Sequence, residues 1–298
     1  MNKLRILALI AAFAVQLLYG LTFTFAKDVM ANGYVKPFGF IALRVGGAAL
    51  LFWIVNFFTP KEKIETKDFA KFFVAAIFGL VVNMLFFFKG LELTTPIHAS
   101  VIMITSPIIV LILSSFYLNE KITKLKILGV IFGFTGAAIL TIYGKSPNPG
   151  DNVSLGNIMV FINAISYSIY IVLIKQLTDK YHPFTFIKWL FLFGFFMVLP
   201  FGYSDLTMVD TSTFTPYIWF SVIFVVVGAT FGTYLLNPLA LRHLRASTVT
   251  VFIYLQPLIA GVFAIIMGSD AITVVKILAS ALIFLGVYLV TKKPKLQA

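Results

Sequence analysis

Cysteine is absent from all 298 residues. That excludes disulfides, thiolate metal sites and cysteine nucleophiles. Histidine occurs only 3 times and acidic residues 11 times. None of the acids (Asp28, Glu62, Glu65, Asp68, Glu92, Glu120, Asp151, Asp179, Asp205, Asp210, Asp270) falls in the middle third of an apolar segment. No buried carboxylate pair is therefore available for general acid–base work, and no carboxylate–His cluster for a metal. Proton antiport on an intramembrane carboxylate is likewise disfavoured. There is no GxxxxGK[ST] phosphate loop, so the chain brings no ATPase of its own. No cofactor is expected. Charged residues make up only 11%, against about 25% in soluble domains.

What the chain has instead is apolar side chain. Hydrophobic residues reach 60%, Phe alone numbers 33, and mean hydropathy is +1.00. A water-soluble fold could not hide so much apolar surface, so lipid must be part of the solvent. Ten apolar segments of spanning length can be drawn, at about 5–26, 37–58, 70–90, 97–118, 125–143, 156–175, 184–203, 216–237, 246–267 and 274–291. Backbone groups in hydrocarbon need partners within their own segment, so each segment is predicted to be a helix. Unbroken apolar runs, rather than ten-residue alternation, exclude a β-barrel. Lys3 and Arg5 precede an Ala12-Phe13-Ala14 stretch shaped like a cleavage site. The run continues through Ala26, beyond the roughly 7–15 residues of a cleaved signal, and is read as a retained first helix.

The net charge of +12 could point to nucleic acid. Here the cations lie in short loops, with no basic stripe on a polar domain, so nucleic acid is not an expected partner. One set of segment ends holds Lys3, Arg5, Lys61, Lys63, Lys67, Lys71, Lys121, Lys124, Lys126, Lys175, Lys180, Arg242, Arg245, Lys292, Lys293 and Lys295, which is 16 cations. The opposite ends hold 5: Lys27, Lys36, Lys89, Lys145 and Lys276. By the positive-inside rule this bias alternates correctly only for ten spans with both termini cytoplasmic. A bacterial inner membrane suits this composition.

The chain also repeats itself. An ungapped shift of 150 residues lays Pro107 on Pro257, Ile122-Thr123 on Ile272-Thr273 and Lys126-Ile127-Leu128 on Lys276-Ile277-Leu278. It also lays Phe134 and Gly136 on Phe284 and Gly286, and Glu120 on Asp270. The first parts match more weakly, with Tyr19 and Lys27 on Tyr167 and Lys175 at a shift of 148. Pro37-Phe38 falls on Pro183-Phe184 at a shift of 146. Five segments per copy is an odd number, so the second copy enters the membrane from the opposite side. The expected fold is all-α and integral to the membrane: ten transmembrane helices as two inverted five-helix repeats, residues 1–145 and 152–293. Inverted repeats are the architecture of many secondary transporters, with the substrate near the midplane between the copies.

Several stretches carry a family likeness. They are Leu18-Tyr19-Gly20 with Lys27; the Pro37-to-Arg44 stretch; Gly90-Leu91 through Ala99-Ser100 to Pro107; Leu118-Asn119-Glu120; and the Gly129/Gly133/Gly136 helix. On these the whole chain resembles the drug/metabolite transporter superfamily, in its ten-helix EamA branch. Tyr19 replaces that family's usual Trp, and Ser269-Asp270 stands where Gly-Glu is common. The resemblance implies alternating-access transport of small metabolites, amino acids among them, often as export. It does not identify the substrate.

Arg44, if mid-span, costs about 2.5–3.5 kcal/mol to insert. It reads either as a cationic anchor for a substrate carboxylate or phosphate, or as a strut bonded to backbone carbonyls. The likeness carries an Arg there whatever the substrate, which favours the strut. Pro107 and Pro257 each free a carbonyl one turn earlier, at matched positions. They read as hinges beside a polar cavity or as static kinks, with Ser100, Thr105 and Ser106 around the first and Thr248, Thr250, Tyr254 and Gln256 around the second. Asn83, Asn163, Tyr167, Tyr170, Tyr234 and Asn237 are further wall candidates. Asn163, Tyr167 and Tyr170 share one helix face by their i, i+4, i+7 spacing. A lone Asn also serves as interhelical glue. The predicted substrate-binding set is Tyr19, Asn83, Ser100, Thr105, Asn163, Tyr167, Tyr170, Tyr234, Tyr254 and Gln256. Its neutral-polar and aromatic character points to an uncharged or zwitterionic substrate.

His98 beside Glu92 could relay protons, though an exposed turn histidine is the plainer reading. Gly129, Gly133 and Gly136 allow close helix packing or a homodimer contact. Expected partners are a small-molecule substrate and membrane lipids. An intramembrane enzyme acting on lipid or isoprenoid is disfavoured by the missing acid pairs, metal ligands and Cys. A membrane scaffold is disfavoured because no loop could hold an extramembrane domain.

Overall fold

A computed structural model describes residues 3–31, 33–59, 61–94, 96–142, 152–266 and 273–292. Among these the chain is helical and contains no strand. The first half runs α1 (Lys3–Ala31), α2 (Pro37–Asn56), α3 (Asp68–Ala76), α4 (Val82–Leu93), α5 (Pro96–Met103), α6 (Ser106–Tyr117) and α7 (Lys124–Ile142). The second runs α8 (Val153–Lys180), α9 (Pro183–Thr207), α10 (Pro216–Ile223), α11 (Thr233–His243), α12 (Ala246–Thr250), α13 (Leu255–Ile266) and α14 (Val274–Thr291).

Helix starts follow local chemistry. Proline sits in the first turn of α2, α6, α9 and α10, where its missing N–H costs nothing. Asn152 and Thr273 cap α8 and α14 with side-chain oxygens. A π-helical segment, Ile77–Val81, joins α3 to α4, and a longer one, Phe224–Gly232, joins α10 to α11. Each π turn shifts the hydrogen-bond register and leaves carbonyls free for other donors.

Eight helical runs among the described residues are long and apolar enough to cross a membrane: Lys3–Thr22, Pro37–Asn56, Asp68–Leu93, Val153–Lys180, Pro183–Thr207, Pro216–His243, Ala246–Phe263 and Val274–Thr291. The two other predicted segments are also helical. One is broken between α5 and α6, and Val101–Tyr117 across that break is apolar among the described residues. The other is α7, which opens on Lys124 and Lys126. The interruption lies just before Pro107, whose ring cannot donate to the preceding turn. Likewise α12 gives way to a 3₁₀ turn, Val251–Tyr254, just before Pro257.

The tightest packing sets α7 on α14, α2 on α9, α4 on α8 and α1 on α11. Glycine makes the α7–α14 crossing possible. A Cβ on Gly136 would stand 2.6 Å from the Ala279 carbonyl oxygen, and one on Gly286 2.6 Å from that of Gly129. The predicted glycine face of α7 is thus covered from within the chain. The core between the helices is aromatic and aliphatic, with Phe40, Phe52, Phe72, Phe186 and Phe191 fully buried. Large apolar side chains such as Leu50, Phe116, Phe196 and Phe284 face outward. A helix set that is apolar both inside and out needs a lipid surround.

Candidate functional site

Several of the polar side chains buried inside the bundle meet. Arg44, on α2, is only 6% exposed. Its Nε donates to the Thr230 hydroxyl at 3.0 Å, and that hydroxyl donates in turn to the Val225 carbonyl, within the second π segment. The Tyr19 and Thr233 hydroxyl oxygens lie 3.2 Å apart. Tyr234 donates to the Gly79 carbonyl at 2.7 Å, and Ser166 to that of Phe78 at 2.6 Å. Both acceptors belong to the first π segment. Asn163 Nδ2 donates to the Asn83 carbonyl at 2.6 Å.

Aromatic contacts extend the cluster. The Tyr170 ring stands 5.7 Å from that of Tyr234 and 6.3 Å from that of Tyr167. A Cβ on Gly79 would fall 2.2 Å from the Tyr170 ring, so only glycine lets α8 approach so closely. Tyr167 meets Asn237. The buried Tyr170 hydroxyl, Asn163 Oδ1, Asn237 Oδ1 and Ser106 Oγ have no hydrogen-bond partner.

The predicted residues therefore fall into groups. Tyr19 and Tyr234 stand near Arg44, Tyr170 and then Tyr167 follow Tyr234 ring to ring, and Asn163 bonds the Asn83 carbonyl. Thr105 bonds the Ile102 carbonyl within the α5–α6 interruption. Gln256 donates to Gln16 at 2.7 Å, tying α13 to α1. Tyr254 is fully buried against Gly133 of α7. The side chains of Ser100 and His98 lie outside the described residues, and Glu92 pairs with Lys89 at 2.8 Å. Pro107 and Pro257 flank the two interruptions. Sequence reasoning missed Thr230, Thr233 and Gln16. The signal for the threonines was present, because Thr230, Thr233, Tyr234 and Asn237 form one stripe at helical spacing.

A family model described as the EamA-like transporter family matches residues 6–142 and again 154–292. The chain belongs to the EamA-like transporter family. An uncharacterized transporter from Archaeoglobus fulgidus is 28% identical, over 98% of this chain and all of that one. The uncharacterized transporter YyaM of Bacillus subtilis is 24% identical, over 96% and 93%. A crystal structure of a protein 16% identical covers 95% of both chains with a TM-score of 0.77, which speaks to fold alone. The chain is an integral membrane protein of a transporter family.

At one end of this EamA-like bundle, ionic contacts join the first half to the second. Asn119 takes a left-handed conformation, φ 52°, which Asn tolerates, and the turn delivers Glu120 beneath α12. Glu120 Oε1 accepts from the Ala246 N–H at 2.7 Å, and Oε2 accepts from the Ser247 hydroxyl and, at 3.1 Å, from Lys126. Nearby, fully buried Asp68 accepts from Tyr181 at 2.8 Å and pairs with Lys71 and Lys180. Lys180, then Lys67, hold the Glu65 carboxyl below its ordinary value. Glu62 accepts from the His182 N–H at 2.9 Å and from the Thr185 hydroxyl. Glu62, Lys180, Tyr181 and His182 border a cavity of about 250 Å³ that also reaches Arg242 and His243. Burial, then Arg242, depress the His182 imidazole, with Glu62 opposing.

Proposed function

We propose that this chain is a secondary transporter that carries small metabolites such as amino acids by alternating access, as an exporter or facilitator. In this reading ten helices cross a bacterial inner membrane as two inverted repeats, residues 1–145 and 152–293, with both termini cytoplasmic. The observation that carries the reading is the polar cluster around Arg44. Its members come from both halves and from the middle of their helices. Tyr19 and Arg44 meet Thr233 and Thr230, and the first π segment receives Ser166 and Tyr234. Polar groups held at membrane mid-depth mark substrate pathways, and the midplane between repeats is where such sites lie.

The packing supports the inverted repeat. Exchanging the halves turns the α4–α8 pair into the α11–α1 pair and returns α2–α9 and α7–α14 to themselves. At the last crossing the symmetry reaches single residues. Gly136 against Ala279 mirrors Gly286 against Gly129 at the 150-residue shift read from the sequence. Both halves also carry one π-interrupted helix and one helix broken before proline.

The test is counterflow in proteoliposomes, with labelled amino acids and related metabolites, run with and without a pH gradient. Saturable accumulation of one pool is expected, and it should fall at least tenfold when Asn163, Tyr167 and Gln256 are changed to Ala. Unchanged uptake in those variants would remove them from the substrate path. No accumulation of any pool by folded protein would discard the amino-acid class.

A further inference from the structure

Arg44 carries a charge that nothing described in the protein neutralises. A guanidinium presents five N–H donors and cannot give up its proton in a protein. One donor is taken by Thr230. Among the described residues no carboxylate forms an ion pair with it. Tyr19 and Tyr234 stand close enough to interact with it electrostatically. Both phenols are already engaged, with Thr233 and with the Gly79 carbonyl. The residue lies seven positions into α2, about 10 Å along the helix, deep within a hydrocarbon layer about 30 Å thick.

A strut would look different. An arginine that merely fixes its helix spends its donors on neighbouring carbonyls, as Arg5 does on Thr291. Among the described residues Arg44 makes no such bond to backbone. One ring further, against Tyr234, the Tyr170 hydroxyl, 2% exposed, is a second donor without a partner among the described residues. The same cluster holds unpaired acceptors, Asn237 Oδ1 beside Tyr167 and Asn163 Oδ1.

We propose that Arg44 is the anchor for a carboxylate on the transported molecule, with Tyr170 as a second donor and the asparagine carbonyls receiving an N–H group of the same molecule. This rests on the transport reading above and narrows its substrate class. Charge matching selects carboxylate over phosphate. One guanidinium balances a single negative charge, whereas a phosphate monoester carries close to two at neutral pH.

The test uses full-length protein in nanodiscs and proteoliposomes. The probes are leucine, phenylalanine and glutamine, each with its amide, which lacks the carboxylate, and its N-acetyl acid, which keeps it. Binding is read as a rise in the unfolding midpoint, and transport as counterflow. At least one acid should bind ten or more times tighter than its amide. Arg44→Gln should erase that preference by weakening acid binding tenfold or more, and Arg44→Lys should retain part of it. Tyr170→Phe, which removes only the free hydroxyl, should weaken acid binding severalfold more than amide binding. It serves as the test if Arg44→Gln does not fold. Equal binding of acids and amides by the wild type would overturn the anchor and leave transport standing. So would an unchanged acid preference in Arg44→Gln, or in Tyr170→Phe where Arg44→Gln does not fold. If folded wild-type protein neither binds nor moves any probe, the anchor falls together with the amino-acid class.

Discussion

His182 lies between α8 and α9, facing a cavity it shares with Glu62, Lys180, Arg242 and His243. Burial and Arg242 keep the imidazole neutral in the fold to a lower pH than in the open chain. Below the ordinary histidine value of about 6.5 the unfolded chain therefore binds a proton that the folded protein refuses. Stability then rises with pH across that window and is lost as pH falls through it. Purified protein should show an unfolding midpoint that declines from pH 7.5 to 5.5, and His182→Gln should flatten the decline. Parallel curves for the two proteins would show that another group is responsible. Neither this role nor the bonding of Arg44 was legible in the sequence. Arg44 stood out because a lone cation in an apolar run is conspicuous. Its partner Thr230 lies on a polar stripe with Thr233, Tyr234 and Asn237, but nothing in the sequence says that the fold brings α2 beside that stripe.

Helices were the legible part, because length and hydropathy dictate them in lipid. Their interruptions were only half legible. Pro107 and Pro257 announce two of them. The π segments have no such signal, because Ile77–Val81 and Phe224–Gly232 are sequences that would serve equally well in a regular helix. What holds the short α12 in place was hidden too. In the sequence Glu120 is one residue of a motif. In the fold it accepts the first N–H of α12 and shields Lys126, which is 5% exposed. Removing one partner of a buried pair costs about 3–5 kcal/mol, whereas replacing both with apolar groups is often neutral. Glu120→Ala should accordingly lower the unfolding midpoint sharply, and Glu120→Met with Lys126→Met should recover most of the loss. A double variant no better than the single one would show that the α12 N–H contact, rather than the ion pair, carries the stability.

The whole molecule poses one question that length and composition leave open: whether the broken helix at 96–117 and the helix that follows it cross the membrane. Among the described residues eight runs qualify by length and composition, and the charge bias asks for ten. The symmetric packing of α7 against α14 sides with ten, because α14 qualifies as a span and α7 lies along it. The two counts differ at a single place. Whether or not these two helices cross, Lys67 and Asn152 stand on opposite sides, since two crossings cancel, and the proposed orientation puts Lys67 inside. Only the turn between them changes side. Lys67, Lys121 and Asn152 are all exposed, and the chain has no cysteine of its own to confuse a label. In intact spheroplasts a membrane-impermeant maleimide should label Asn152→Cys and spare both Lys67→Cys and Lys121→Cys. Labelling of Lys121→Cys alongside Asn152→Cys would place the turn outside. Two crossings would then be lost and the five-plus-five repeat with them, because the first half would keep three spans against five in the second.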